Sequence, residues 1–126
     1  MDFQGTIIKE SLTDAGILNN LEVVETTVEK TTEKHCTPWL EQWTKLSVII
    51  PEAWAYFYAE GISEALDSEH PWYADFKNDI THYIIFRGRI FAVNRRDLED
   101  YQLAKEYGLE LGIPEHQLDF DKNLII

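Results

Sequence analysis

The stretch ITHYIIFRGRIFAV, residues 80–93, restricts the fold more than any other part of the chain. Two apolar runs, Ile80–Phe86 and Arg89–Val93, flank the dipeptide Arg87-Gly88. Two residues between apolar runs are the signature of a tight antiparallel hairpin, and glycine supplies the positive φ that such a turn needs. The pairing follows: Phe86 opposite Arg89, Ile84 opposite Phe91, His82 opposite Val93. Ile85 with Ile90 and Tyr83 with Ala92 fall on the other face. Both faces of this ribbon are largely apolar. One face calls for helices, and the other for a second cover: the N-terminal strands, a turn carrying Trp39 and Trp43, or another copy of the chain.

The rest of the chain reads around that hairpin. Gly5–Leu12 is β-branched and short, and reads as a first strand. Leu21–Lys34 is rich in Thr, Val and Glu, and reads as a long, solvated strand at a sheet edge, where charge discourages unwanted pairing. Thr37 and Pro38 suit a short turn with Trp39 and Trp43 on one side. In Thr44–Ile50, Leu46, Val48 and Ile50 alternate onto one face.

Pro51 opens a helix running to Asp67, with Trp54, Phe57, Tyr58, Ile62, Ala65 and Leu66 as its expected buried stripe. Gly61 inside that helix implies a close approach to the sheet. A second helix starts at Asp97 as N-cap and stops at Gly112 before Pro114, with Leu98, Tyr101, Ala104, Gly108 and Leu111 inward. HQLDF, residues 116–120, reads as a last short strand.

From residue 44 the order is strand, helix, strand, strand, helix, strand. This gives an α+β fold with a mainly antiparallel sheet and two amphipathic helices on one face. Residues 44–120 match the ferredoxin-like βαββαβ pattern, preceded by an N-terminal pair of strands in residues 1–43. With 126 residues, the chain reads as one domain.

Charge and composition narrow the function classes. The net charge is −12, which argues against a general phosphate-backbone binder and leaves room for a basic protein partner. No apolar run is long enough for a membrane span. The single cysteine, Cys36, excludes an internal disulfide, and the N-terminus lacks a signal-peptide pattern, so a cytoplasmic location is expected. No HxH, HExxH, P-loop or GxGxxG pattern occurs, so neither cofactor nor metal is expected. Cys36 beside His35 is a weak nucleophile pair, because adjacent strand residues point to opposite faces. A lone cysteine is more simply a small buried hydrophobe.

Two segments carry candidate chemistry. All four arginines lie in residues 87–96. Arg95 and Arg96 precede a helix N-terminus, where an anion would offset their repulsion from the helix dipole. The second segment, EHPWYADFKND (residues 69–79), reads as a loop with neither helical nor strand period. Trp72, Tyr73 and Phe76 would form a pocket wall, with Asp75, Lys77, Asp79 and His82 at its mouth. The ligand-binding candidates are therefore Trp72, Tyr73, Lys77, His82, Arg95 and Arg96. His82, Asp75 and Asp79 are the acid/base candidates.

Three function classes fit. The first is a non-catalytic binding or regulatory module, homodimeric through a sheet face, for a small anionic or aromatic ligand or a protein partner. The second is a small enzyme of the dimeric α+β-barrel kind, built on His82 with Asp75 or Asp79. The third is an acidic protein that occupies a basic, nucleic-acid-binding partner.

Overall fold

A computed structural model describes residues 1–126. Six strands form one sheet: β1 Phe3–Ile8, β2 Glu22–Lys30, β3 Gln42–Ile50, β4 Tyr73–Lys77, β5 Thr81–Phe86 and β6 Arg89–Asn94. Two α-helices accompany it, α1 Ala55–Ala65 and α2 Leu98–Glu110. The strand order is β2-β3-β1-β4-β5-β6, and every neighbouring pair is antiparallel.

The hairpin forms in the expected register, with Phe86 opposite Arg89 and His82 opposite Val93. Gly88 sits at φ 74°, a value that favours glycine at the turn. Its N–H donates to Ser63 Oγ at 2.9 Å, and that hydroxyl donates to Phe86 O at 2.6 Å. The turn is thereby tied to α1.

The two helices lie on opposite faces of the sheet, not on one. Ile85 packs with Ala55, Ala59 and Ile62 of α1, whereas its neighbours Ile84 and Phe86 pack with Tyr101 and Ala104 of α2. Successive strand residues point to opposite faces, so one helix cannot serve both sets. Within a single chain, then, a helix packs on each face of the hairpin.

The ferredoxin-like order is not what the strands show. The expected last strand does not form: residues 115–117 and 120–123 are short 3₁₀ turns that bury Leu118 and Phe120 against the α2 side. An unexpected strand appears instead, β4, inside the segment read as a loop. Ala74 and Phe76 face α1, while Tyr73, Asp75 and Lys77 face the α2 side. Tyr73 hid the alternation, because an aromatic ring stands where a polar residue would have marked the outer face.

β3 and β4 are both antiparallel to β1 and hence parallel to each other. Helix α1 makes the long crossover that parallel strands need, and β1 fills the gap between them. The N-terminal strand is thus central, while β2 lies at the edge, nearly all exposed, as its charge pattern implied.

The inward stripe of α1 also differs from expectation. Ala55, Ala59, Ile62 and Ser63 are buried, and Trp54 and Phe57 are more than half exposed. Small residues let the helix axis sit close to the sheet. Gly61 serves a close approach too, but to Ile17 of the 15–20 turn. In α2 the buried set is Tyr101, Ala104 and Gly108, and Leu98 and Leu111 are exposed. Asp97 caps α2, its carboxylate accepting from Glu99 N at 2.9 Å.

Gly5 is where the sheet tolerates least. A Cβ there would fall on the Asp75 carbonyl oxygen and 2.6 Å from Phe76 Cα. These are backbone atoms of β4 and cannot swing away. Gly5→Ala should therefore cost about 3 kcal/mol or more in urea unfolding. Gly61→Ala should stay within about 1 kcal/mol, because the helix gains propensity while only the end of the Ile17 side chain must move. Equal effects of the two substitutions would overturn the close β1–β4 packing.

Candidate functional site

Strand β4 places three side chains on the α2 side of the sheet, at Tyr73, Asp75 and Lys77. Asp75 is opposite Thr6 on β1 and Ile84 on β5. Beyond β4 on this face the helical cover ends, and the sheet surface lies open as a trough. Two clefts share it, meeting at Thr6.

The first cleft has a volume of about 360 Å³. Its walls include Trp43, Trp72 and Tyr73, and its polar groups include Lys45, Asp75 and Lys122. The Trp43 and Trp72 rings lie 5.5 Å apart at a tilt of 57°. Both indoles are nearly buried. Trp43 Nε1 donates to Thr37 Oγ1 at 2.9 Å, which fixes that ring. Tyr73 is pinned by its hydroxyl, which donates to Gln117 O at 2.5 Å.

His82, on β5 and on the same face of the sheet as Asp75, lies beside the cleft under α2 and is completely buried. Its Nε2 is 2.6 Å from Asp75 Oδ2, and its Nδ1 is 3.0 Å from Tyr101 Oη. A carboxylate only accepts, so Nε2 carries the proton, and in the neutral ring Nδ1 accepts from the tyrosine hydroxyl. Both ring nitrogens are therefore engaged. Burial pushes the Tyr101 phenol above its ordinary pKa, and nearby Arg95 pulls it part of the way back. Asp75 keeps some exposure, with its side chain 27% accessible, and Oδ1 makes no hydrogen bond within the chain. The chain of contacts thus ends on a fixed carboxylate facing the cleft.

The second cleft, of about 600 Å³, contains Lys77, Asn78, Asp79 and Arg95. Arg95 is a bolt: Nη1 donates to Asn78 O at 2.7 Å, while Nε and Nη2 donate to Asn123 O at 3.2 and 3.1 Å. It fixes the β4–β5 turn to the C-terminal segment. Arg96 is exposed and lines neither cleft.

The arginine cluster of the sequence is therefore dispersed. Arg87 Nη1 donates to Glu64 O at 3.0 Å and Leu66 O at 2.7 Å, closing the end of α1. The Arg89 guanidinium lies 4.8 Å from the centroid of the Phe91 ring. Of the expected site residues, Trp72, Tyr73 and Asp75 converge on the first cleft, Lys77, Asp79 and Arg95 on the second, and His82 supports the first from the side by holding Asp75. Trp43, Lys45 and Lys122 escaped the sequence reading. Placing Trp43 in a turn broke the alternation Trp43, Lys45, Ser47 that would have put both Trp43 and Lys45 on this face.

The remaining candidates serve structure. His35 Nε2 contacts Glu29 Oε1 at 2.5 Å, and its ring meets Trp43 edge-on at 4.4 Å. Lys45 and His35 together hold the Glu29 carboxyl below its usual range. Cys36 is exposed at φ 59°, not buried. Asp67, Glu69 and His70 come together after α1, where Trp39 stacks on His70 at 3.8 Å. His70 Nδ1 lies 2.7 Å from Asp67 Oδ2, and Glu69 N donates to Asp67 Oδ1, so this cluster is bonded within itself.

Comparison with protein-family models, with curated proteins and with solved structures finds no match.

Burial of the Tyr73 phenol, with Asp75 and Asp119 adding to it, raises its pKa well above the ordinary 10.0. The unfolded chain ionises first, so the stability tied to this neutral phenol is complete below pH about 10 and is lost as pH rises beyond it. Tyr73→Phe should lower stability near pH 8 by about 1 kcal/mol, the worth of the bond to Gln117 O. It should also flatten the decline of stability between pH 10 and about 11.5, followed by urea titration. An unchanged alkaline slope would remove Tyr73 from that role.

Proposed function

We propose that the chain is a non-catalytic binding module whose first cleft takes a small planar ligand bearing a cationic or N–H donor group. The supporting observation is the Asp75 carboxylate, held by the buried His82 beside it, in a cleft walled by two tryptophans. Aromatic walls select flat rings, and a fixed carboxylate with a free oxygen selects donors. The aromatic half of the expected ligand is kept, and the anionic half moves to the other cleft. There Lys77 makes no ion pair and Arg95 is held by carbonyls, so an anion would sit beside Lys77, in a cleft that Asp2 and Asp79 also line. The enzyme reading has less to rest on. A general base must reach the proton it takes, and His82 offers no exposed atom.

Benzamidine and benzoate test the charge preference on a similar ring. Titration followed by tryptophan emission should show benzamidine binding in the millimolar range and benzoate at least tenfold more weakly. Asp75→Asn keeps the size and an acceptor for His82, and should abolish the difference. Equal affinity of both probes for the unaltered protein would refute the reading, as would an intact preference in Asp75→Asn.

A further inference from the structure

Helix α1 buries small residues and leaves large ones in solvent. Trp54, Tyr56 and Phe57 are 56%, 57% and 58% exposed. Trp54 and Phe57 meet edge-on at 5.8 Å, and Phe57 meets Tyr58 at 5.5 Å, so the rings make one ridge. A scattered apolar residue on a surface needs no explanation, but a continuous aromatic ridge does. Exposed Trp and Tyr clusters are where interfaces concentrate their binding energy. The ridge lies on the α1 layer, and the groove beside it meets the 600 Å³ cleft at Asp2 and Ile49.

Beside the ridge runs a groove of about 530 Å³, bounded by Leu21, Glu22, Ile49, Pro51, Trp54 and Phe57 among others. No lysine or arginine lines it, and Asp2 and Glu22 do. Glu60 and Glu64 are exposed one and two turns beyond Tyr56 on the same helix. Four cations stand nearby: the N-terminal ammonium pairs with Glu52, Arg89 flanks Tyr56, Glu60 and Glu64 and lies over Phe91, and Lys77 and Arg95 line the cleft that shares Asp2 and Ile49 with this groove. The surface is thus aromatic at its centre and acidic at its rim.

We infer that the α1 ridge docks a basic segment of another protein, one that presents Lys or Arg side chains between apolar ones. Apolar side chains of that segment fill the groove beside Trp54 and Phe57. Its cations meet Asp2, Glu22, Glu60 and Glu64 and lie over the indole face of Trp54. Charge excludes the other occupants. A second copy would bring acidic rim against acidic rim, and an anionic bilayer or a nucleic acid would meet the same repulsion. A protein whose own surface is built for phosphates has the required chemistry, with these carboxylates in the place of the phosphates.

The test uses two labelled synthetic peptides, one alternating Arg with Leu and the other Glu with Leu. Fluorescence anisotropy is measured with the full chain and with a Trp54→Ala/Phe57→Ala variant. Both residues are exposed, and circular dichroism checks that the variant is folded. The Arg peptide should bind at least tenfold more tightly than the Glu peptide, and added salt should weaken it. The variant should lose at least tenfold of that affinity, whereas Leu103→Ala, at an exposed position of α2, should lose none. Three results would each overturn the inference. In the first, the variant binds the Arg peptide unchanged, which leaves only unspecific attraction to an acidic surface. In the second, light scattering shows a dimer that the variant abolishes. In the third, the chain associates with phosphatidylserine vesicles through the same two residues.

Discussion

Ile84 and Ile85 are adjacent in the chain, and both are fully buried. Because a strand turns neighbouring side chains to opposite sides, this sheet must be covered twice at the same point. A single helical layer would leave one isoleucine, and the whole apolar row behind it, in water. Each large side chain so exposed would forfeit about 1.5–3 kcal/mol. The arrangement of α1 on one side and α2 on the other follows from that requirement. The 113–124 segment extends the α2 layer with Ile113, Leu118, Phe120 and Leu124, and Arg95 ties it down through Asn123.

The two layers are unequal in reach, and the inequality creates the surfaces that matter. On the α1 side, the 15–20 turn supplies Ile17 and Leu18 and carries the cover out to β1 and β3. On the α2 side the cover stops near β4. Gln4, Thr6, Lys45 and Ser47 are left to line open clefts. The polar character of these positions agrees with their exposure. Asp75 is ionisable at the border between covered and open sheet, and His82 is the partner that lets a carboxylate sit there.

The hairpin was legible because its signal is local: a glycine turn between two apolar runs fixes register without help from elsewhere. The edge position of β2 was legible for a similar reason, since Glu22, Glu25, Glu29 and Lys30 have no place in a sheet interior. β4 was not legible. Its outward side carries Tyr73, which a 3₁₀ turn from the far end of the chain covers through Phe120 at a ring separation of 5.0 Å. A contact that long in sequence overrides a period of two. The α1 stripe misled for a related reason. Apolar spacing at three- and four-residue steps pointed Trp54 and Phe57 inward, whereas the residues facing the sheet are Ala55, Ala59, Ile62 and Ser63. Trp72, Tyr73, Asp75 and His82 could be grouped because they are close in sequence. Trp43, Lys45 and Lys122 enter the same cleft by pairing and by the return of the chain end, and no short window contains those events.

His82 shows how the core and the surface are joined. An apolar side chain at this position would fill the space between β5 and α2 without any polar requirement. A buried imidazole is more demanding, because an unpaired ring nitrogen costs roughly 1–3 kcal/mol. Here both nitrogens have partners, one from helix α2 and one from strand β4, so the ring can be satisfied in one packing of those elements. Sliding α2 by a turn would strand Nδ1, and shifting β4 by a residue would send Asp75 to the other face and strand Nε2. The same two bonds that fix the helix and the strand also fix the carboxylate. The orientation of Asp75 at the cleft floor is therefore a consequence of the core packing, and it is set before any ligand arrives.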